Sequence, residues 1–138
     1  SRYSQGSAAH QAVGCLLDIS GDDEYFARQA ANQGAAWDAA VGVLEDRAGD
    51  DDYQGGGLAQ GAASMNGIGV LFDWAGSDRY QADDGQGRGG SVEYWGGRNA
   101  LNLGILIDTG AESDSYSEKG RGDNHEQATS KVGLFMDR

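Results

Sequence analysis

The chain repeats itself. GCLLDISGDDEY begins at Gly14, GVLEDRAGDDDY at Gly42, GVLFDWAGSDRY at Gly69, GILIDTGAESDSY at Gly104, and GLFMD at Gly133. Successive opening glycines lie 28, 27, 35 and 29 residues apart, a period at which a chain stacks small units into a solenoid instead of folding around one round core. The units run over residues 14–41, 42–68, 69–103 and 104–132, with partial units at 1–13 and 133–138, all within one domain spanning 1–138. Gln5-Gly6, Gln33-Gly34 and Gln60-Gly61 each precede an opening glycine by nine residues, so residues 1–13 match the closing part of a unit. Neither end carries a recognisable cap.

Each unit reads as three short strands separated by turns. The first strand is the apolar run at the opening glycine, 41–45 and 68–72 in two of the units; the second begins at the tyrosine; the third passes through Gln-Gly-x-Ala. Three strands of about five residues and three turns of about four fill one coil of a parallel β-helix. Two-helix repeats need longer units with leucine stripes, and the 24 glycines would be costly in helices. The absence of proline suits a backbone committed to strand ladders. RQAANQGAAWDAA, residues 28–40, has helical composition, but its counterpart GGGLAQGAASMNG is too rich in glycine to make a helix. The expected fold is all-β, a parallel β-helix (β-solenoid) of about five coils with 27–28 residues per coil and one loop insertion.

Alternate positions of the first strand are both apolar. One set is Val13, Cys15, Leu17; Val41, Val43, Glu45; Ile68, Val70, Phe72; Leu103, Ile105, Ile107; and Val132, Leu134, Met136. The other holds the glycine, then Leu16, Leu44, Leu71, Leu106 or Phe135, then the aspartate. The first set is expected to face the interior, with Cys15 as a small buried hydrophobe. The leucine ladder then needs cover from a loop or a neighbouring subunit. Gln86 precedes Gly104 by eighteen residues where the equivalent spacing in the other units is nine. This insertion carries Tyr94 and Trp95, which form a candidate interface or fold back over the leucine ladder.

The acidic turns carry the only candidate chemistry. Asp18, Asp46, Asp73 and Asp108 recur at one position, and Asp23, Asp51, Asp78 and Asp114 at another, two residues before a tyrosine. Stacked roughly 4.8 Å apart, such carboxylates repel one another and call for neutralisation. A hard cation with oxygen ligands, Ca²⁺, is one answer. Hydrogen bonds from turn N–H groups are the other.

The segments Gly21-Asp22-Asp23-Glu24-Tyr25-Phe26 and Gly76-Ser77-Asp78-Arg79-Tyr80-Gln81 resemble the second half of the calcium-binding nonapeptide of the repeats-in-toxin family, G-G-x-G-x-D-x-U-x. That resemblance implies a calcium-loaded parallel β-roll in a secreted protein. It carries over to Asp23, Asp51 and Asp78, with Asp114 after an irregular turn. Ser20, Ala48 and Ala75 stand where the family has a glycine.

A formal charge of −12 repels nucleic-acid phosphate and anionic membranes. His10 and His125 occupy unrelated repeat positions, and no Ser/His/Asp or Cys/His arrangement is present. Arg121-Gly122-Asp123 spells an adhesion tripeptide that arises readily by chance in such a composition. The expected function is therefore a non-enzymatic structural module, extracellular or at the cell surface, that self-associates through solenoid ends or through an apolar ladder. The alternative is a polysaccharide- or surface-binding module. A polysaccharide lyase is disfavoured by the two lysines in the chain.

Overall fold

A computed structural model describes residues 2–87, 101–110, 112–129 and 132–138. Among the described residues there is no helix. The strands in chain order are β1 (Ala8–Ala9), β2 (Val13–Leu17), β3 (Glu24–Ala27), β4 (Ala36–Trp37), β5 (Val41–Asp46), β6 (Asp52–Gly57), β7 (Ala63–Ser64), β8 (Ile68–Asp73), β9 (Arg79–Asp84), β10 (Leu103–Asp108), β11 (Ser115–Tyr116), β12 (Glu126–Thr129) and β13 (Gly133–Asp137). They form three sheets with orders β12-β13-β10-β8-β5-β2, β11-β9-β6-β3 and β1-β4-β7. The protein is a parallel β-solenoid of about four turns.

The repeat sets the register. Gly14, Gly42, Gly69, Gly104 and Gly133 pair in one row of the first sheet, and Tyr25, Tyr53, Tyr80 and Tyr116 in one row of the second. The four tyrosine rings stack face to face with centroids 4.7–4.8 Å apart and planes within 5° of parallel. Phe135 closes the stack edge-on against Tyr116.

The interior face is the leucine and aspartate face, which corrects the expectation that Val13, Val41, Val43 and their equivalents point inward. Leu44, Leu71, Leu106 and Phe135 are fully buried against the tyrosines, whereas Val13 and Ile68 are exposed and Val43 and Val70 half-buried. The reason lies in the opening glycine, which shares the leucine face. A Cβ on Gly42 would sit 2.3 Å from the Ala35 carbonyl oxygen, because the backbone leading into the third sheet crosses there. Only a face carrying glycine at that point admits so close a wall. Glu45, the one charge in the Val/Ile set, points outward and meets the Arg47 and Trp74 side chains. Cys15 lies on the same outer face and is exposed, so it is not the buried hydrophobe expected.

The corners depend on glycine in another way. Gly49 and Gly76 adopt φ of 151° and 154°, and a Cβ on Gly49 would lie 1.6 Å from the Gly21 carbonyl oxygen. Equivalent corners nest with no space between them.

The last coil departs from the pattern. β12 turns back to pair antiparallel with β13, so the outer edge of β13 is covered instead of bare. Arg121 places its guanidinium over the Phe135 ring and donates from Nε to the Gln86 carbonyl. A cap is therefore present that the sequence did not reveal. Tyr94 and Trp95 lie outside the described residues.

The two faces differ in what truncation removes. Leu71→Ala should cost about 3 kcal/mol by opening a cavity, and Val70→Ala on the outer face about 1 kcal/mol or less. Chemical denaturation of the two variants measures this, and the opposite ranking would place the Val/Ile set inside.

Candidate metal centre

The aspartate that ends each first-sheet strand points inward because it sits two residues beyond the buried leucine. Asp46, Asp73, Asp108 and Asp137 pair in register and are buried. Oδ1 of Asp46 accepts from the Ala48 N–H at 3.2 Å, and Oδ1 of Asp73 from the Ala75 N–H at 3.3 Å. Oδ2 of Asp46 accepts the Tyr25 hydroxyl, and Oδ2 of Asp73 the Tyr53 hydroxyl at 2.5 Å, so each tyrosine reaches the aspartate of the next coil. Continuing that pattern would take Tyr80 to Asp108 and Tyr116 to Asp137. Instead Tyr116 donates to Asp108 of its own coil at 2.8 Å. The fully buried Tyr80 hydroxyl lies between Asp73 and Asp108, and Oδ2 of Asp137 lies near Tyr116, with neither at good hydrogen-bond geometry.

The second aspartate row closes the same corner from the other side. Oδ1 of Asp51, Asp78 and Asp114 each accepts, at 2.7 Å, the backbone N–H of the equivalent aspartate one coil earlier, namely Asp23, Asp51 and Asp78. The hydrogen-bonded reading of the corner thus holds for one oxygen of each carboxylate. Oδ2 of Asp51 and of Asp78 is buried with no partner. On the outside of the corner, Asp22 and Asp50 accept the N–H of Asp50 and Ser77 in the opposite direction.

The two rows converge into groups whose carboxylate oxygens all lie within 4.8 Å: Asp18, Asp23 and Asp46; Asp51, Asp73 and Asp78; Asp78, Asp108 and Asp114; and Asp114, Asp123 and Asp137. All eight acids singled out from the sequence fall in the first three groups. Asp137 extends its row into the last repeat, and its periodicity was readable in GLFMD. Asp123 was not readable, because it lies in the reversed segment where the period is lost.

Burial dominates the electrostatics of the column. It pushes the Asp78 carboxyl up to about 9, with the Asp73 charge adding to the shift, and Asp108 up to about 8 with Asp114 adding. Asp73 rises to about 6, held back by the Tyr53 hydroxyl, and Asp114 to about 6, held back by the Asp78 N–H. Asp51 and Asp23 are raised by the same desolvation. The tyrosine hydroxyls move further above 10 and stay neutral. A column of like charges removed from water must therefore take up either protons or cations.

The donors fit a hard cation. They are all oxygen, with no imidazole or thiolate among them, and the unpartnered Oδ2 atoms of Asp51 and Asp78 supply ligands not committed to the fold. The histidines lie elsewhere: His10 pairs with Asp38 at 2.9 Å on the surface beside Trp37, and the His125 ring lies against Phe135. No protein-family model, curated protein or solved structure matches the chain.

Protons and cations are separable by pH. In chelator, the folded chain holds protons that the unfolded chain, with carboxyls near 3.8, has released. Stability should then be greatest near pH 4 and fall as pH rises towards 9. Thermal melts in chelator across this range check the slope. Asp78→Asn, a neutral isostere that keeps the acceptor for the Asp51 N–H, should raise the metal-free melting temperature at pH 8 by several degrees and flatten the profile.

Proposed function

We propose that the protein is a non-enzymatic structural module whose stacked coils are clamped by Ca²⁺ along the interior aspartate column. The observation that carries this reading is the Asp51, Asp73 and Asp78 group, wholly buried, with two carboxylate oxygens left without partners. Each group draws its acids from two successive coils, so a bound cation ties one turn of the solenoid to the next and neutralises the charges that stacking forces together. The likeness of the Gly-x-Asp-x-Tyr corner to the repeats-in-toxin nonapeptide points the same way. An extracellular or cell-surface setting suits this chemistry, because free Ca²⁺ there is high enough to fill sites of modest affinity.

Association through the outer apolar ladder is the second element of the proposal. Five strands at roughly 4.8 Å spacing and five residues at roughly 3.3 Å give a face of roughly 400 Å², a size at which an exposed apolar patch marks an interaction surface. A second copy of the chain is the occupant we favour, packing sheet against sheet. End-to-end growth at β13 is disfavoured by the antiparallel β12 on its edge.

Two measurements test these elements. Millimolar Ca²⁺ should raise the melting temperature at pH 8 by about 5 °C or more over chelator, and Tb³⁺ bound in its place should luminesce on excitation of the adjoining tyrosines. Identical melting curves with and without chelator would reject the clamp. Sedimentation should find a dimer or larger species that Ile68→Lys converts to monomer. A wild-type monomer at high concentration would reject the lateral interface.

A further inference from the structure

The outer side of the second sheet carries a hollow that the aspartate column does not use. It opens where β6 ends in Gly55-Gly56-Gly57, while the neighbouring coils bear Ala27-Arg28-Gln29 and Ala82-Asp83-Asp84 at the same level. At the middle of these triplets Gly56 therefore brings no side chain of its own between Arg28 and Asp83. Gly56 is obligatory there: it is buried, and a Cβ on it would lie 2.4 Å from the Arg28 carbonyl oxygen. The floor is two backbones in close contact, and a side chain at Gly56 would have to move them. The resulting volume is about 550 Å³, within the range of small-ligand sites.

The lining is of mixed chemistry. Phe26, Gln54 and Gln81 stand in one row in register across the three coils. The Phe26 ring is exposed, and the Arg28 guanidinium lies 5.4 Å from its centroid. Arg28 and Asp83 flank Gly56, one on each neighbouring coil, and Gln54 is oriented by donating to Asp52 Oδ2 at 2.7 Å. The site thus offers a guanidinium donor, a carboxylate acceptor, two primary amides that do both, and an aromatic surface.

We propose that this hollow binds a neutral saccharide segment. A sugar ring presents an apolar C–H face to an aromatic ring and hydroxyls, each donor and acceptor, to amides and ions. An apolar ligand would cover the Gln54 and Gln81 amides and the Asp83 carboxylate without offering them a hydrogen bond. A polyanion meets Asp83 and the −12 charge of the chain. A cation meets Arg28. The ligand whose chemistry conflicts with none of these groups is hydroxylated and uncharged.

Native gel electrophoresis through neutral polysaccharides (glucomannan, laminarin, hydroxyethylcellulose and starch), with alginate and chitosan as charged comparators, tests the proposal. All runs contain Ca²⁺. At least one neutral polymer should retard the protein. Titration with the matching hexasaccharide should bind at least tenfold more weakly to Phe26→Ala and to Gln81→Ala, both outward-facing changes that leave the melting temperature in place. Asp78→Asn, in the interior column, should not alter saccharide affinity, which separates this inference from the calcium clamp. Retardation by none of the neutral polymers, by the charged ones alone, or to the same extent in both groove variants would overturn it.

Discussion

Every column in this molecule follows from one constraint: parallel pairing at the coil repeat sets each residue beside its own equivalent, about 4.8 Å away. Where the equivalents are tyrosines the geometry favours the fold. Rings at 4.7–4.8 Å with planes nearly parallel add roughly 0.5–1.5 kcal/mol per pair beyond their burial. Where they are aspartates the same geometry sets like charges together in a dry interior. Both follow from one coil repeat, which stacks the tyrosines on the second sheet and the Asp46 row on the first.

The fold divides the carboxylates of Asp46, Asp51, Asp73 and Asp78 between two duties. One oxygen closes a backbone corner, within its own turn for Asp46 and Asp73 and between coils for Asp51, Asp78 and Asp114. The other faces the column, where a tyrosine hydroxyl satisfies it or nothing does. The slip at Tyr80 and Tyr116 coincides with the approach of the reversed strand β12, which changes what Phe135 and Asp137 pack against. Buried glutamines support the opposite corner. Gln33, Gln60 and Gln86 adopt left-handed φ of 52–53° and donate to the carbonyls of Tyr25, Tyr53 and Tyr80, tying one corner of each coil to its tyrosine strand.

The surfaces are more varied than the interior, and that variation separates their uses. The first sheet turns an unbroken apolar ladder outward, apart from Glu45, which is held by Arg47. The second sheet loses the repeat at Gly55-Gly56-Gly57 and opens a polar hollow. The tripeptide at Arg121 is drawn into the cap, with its guanidinium on Phe135 and Asp123 among the acids around Asp137.

Much of the architecture was legible because a solenoid's long-range contacts are copies of one local pattern. The period gave the coil, and the recurrence of Asp and Tyr gave the columns and the eight acids that converge in them. The inward face was not legible. Both alternating sets of the first strand are apolar, and alternation distinguishes faces without ordering them. The outward Glu45 and the glycine shared with the leucines were the only local hints. Which oxygen of each carboxylate is spent on the backbone, which stays free, and where β12 reverses were settled by tertiary structure alone. Each depends on distances between coils that identical repeats cannot encode, and the last repeat breaks its period where the chain turns back on itself.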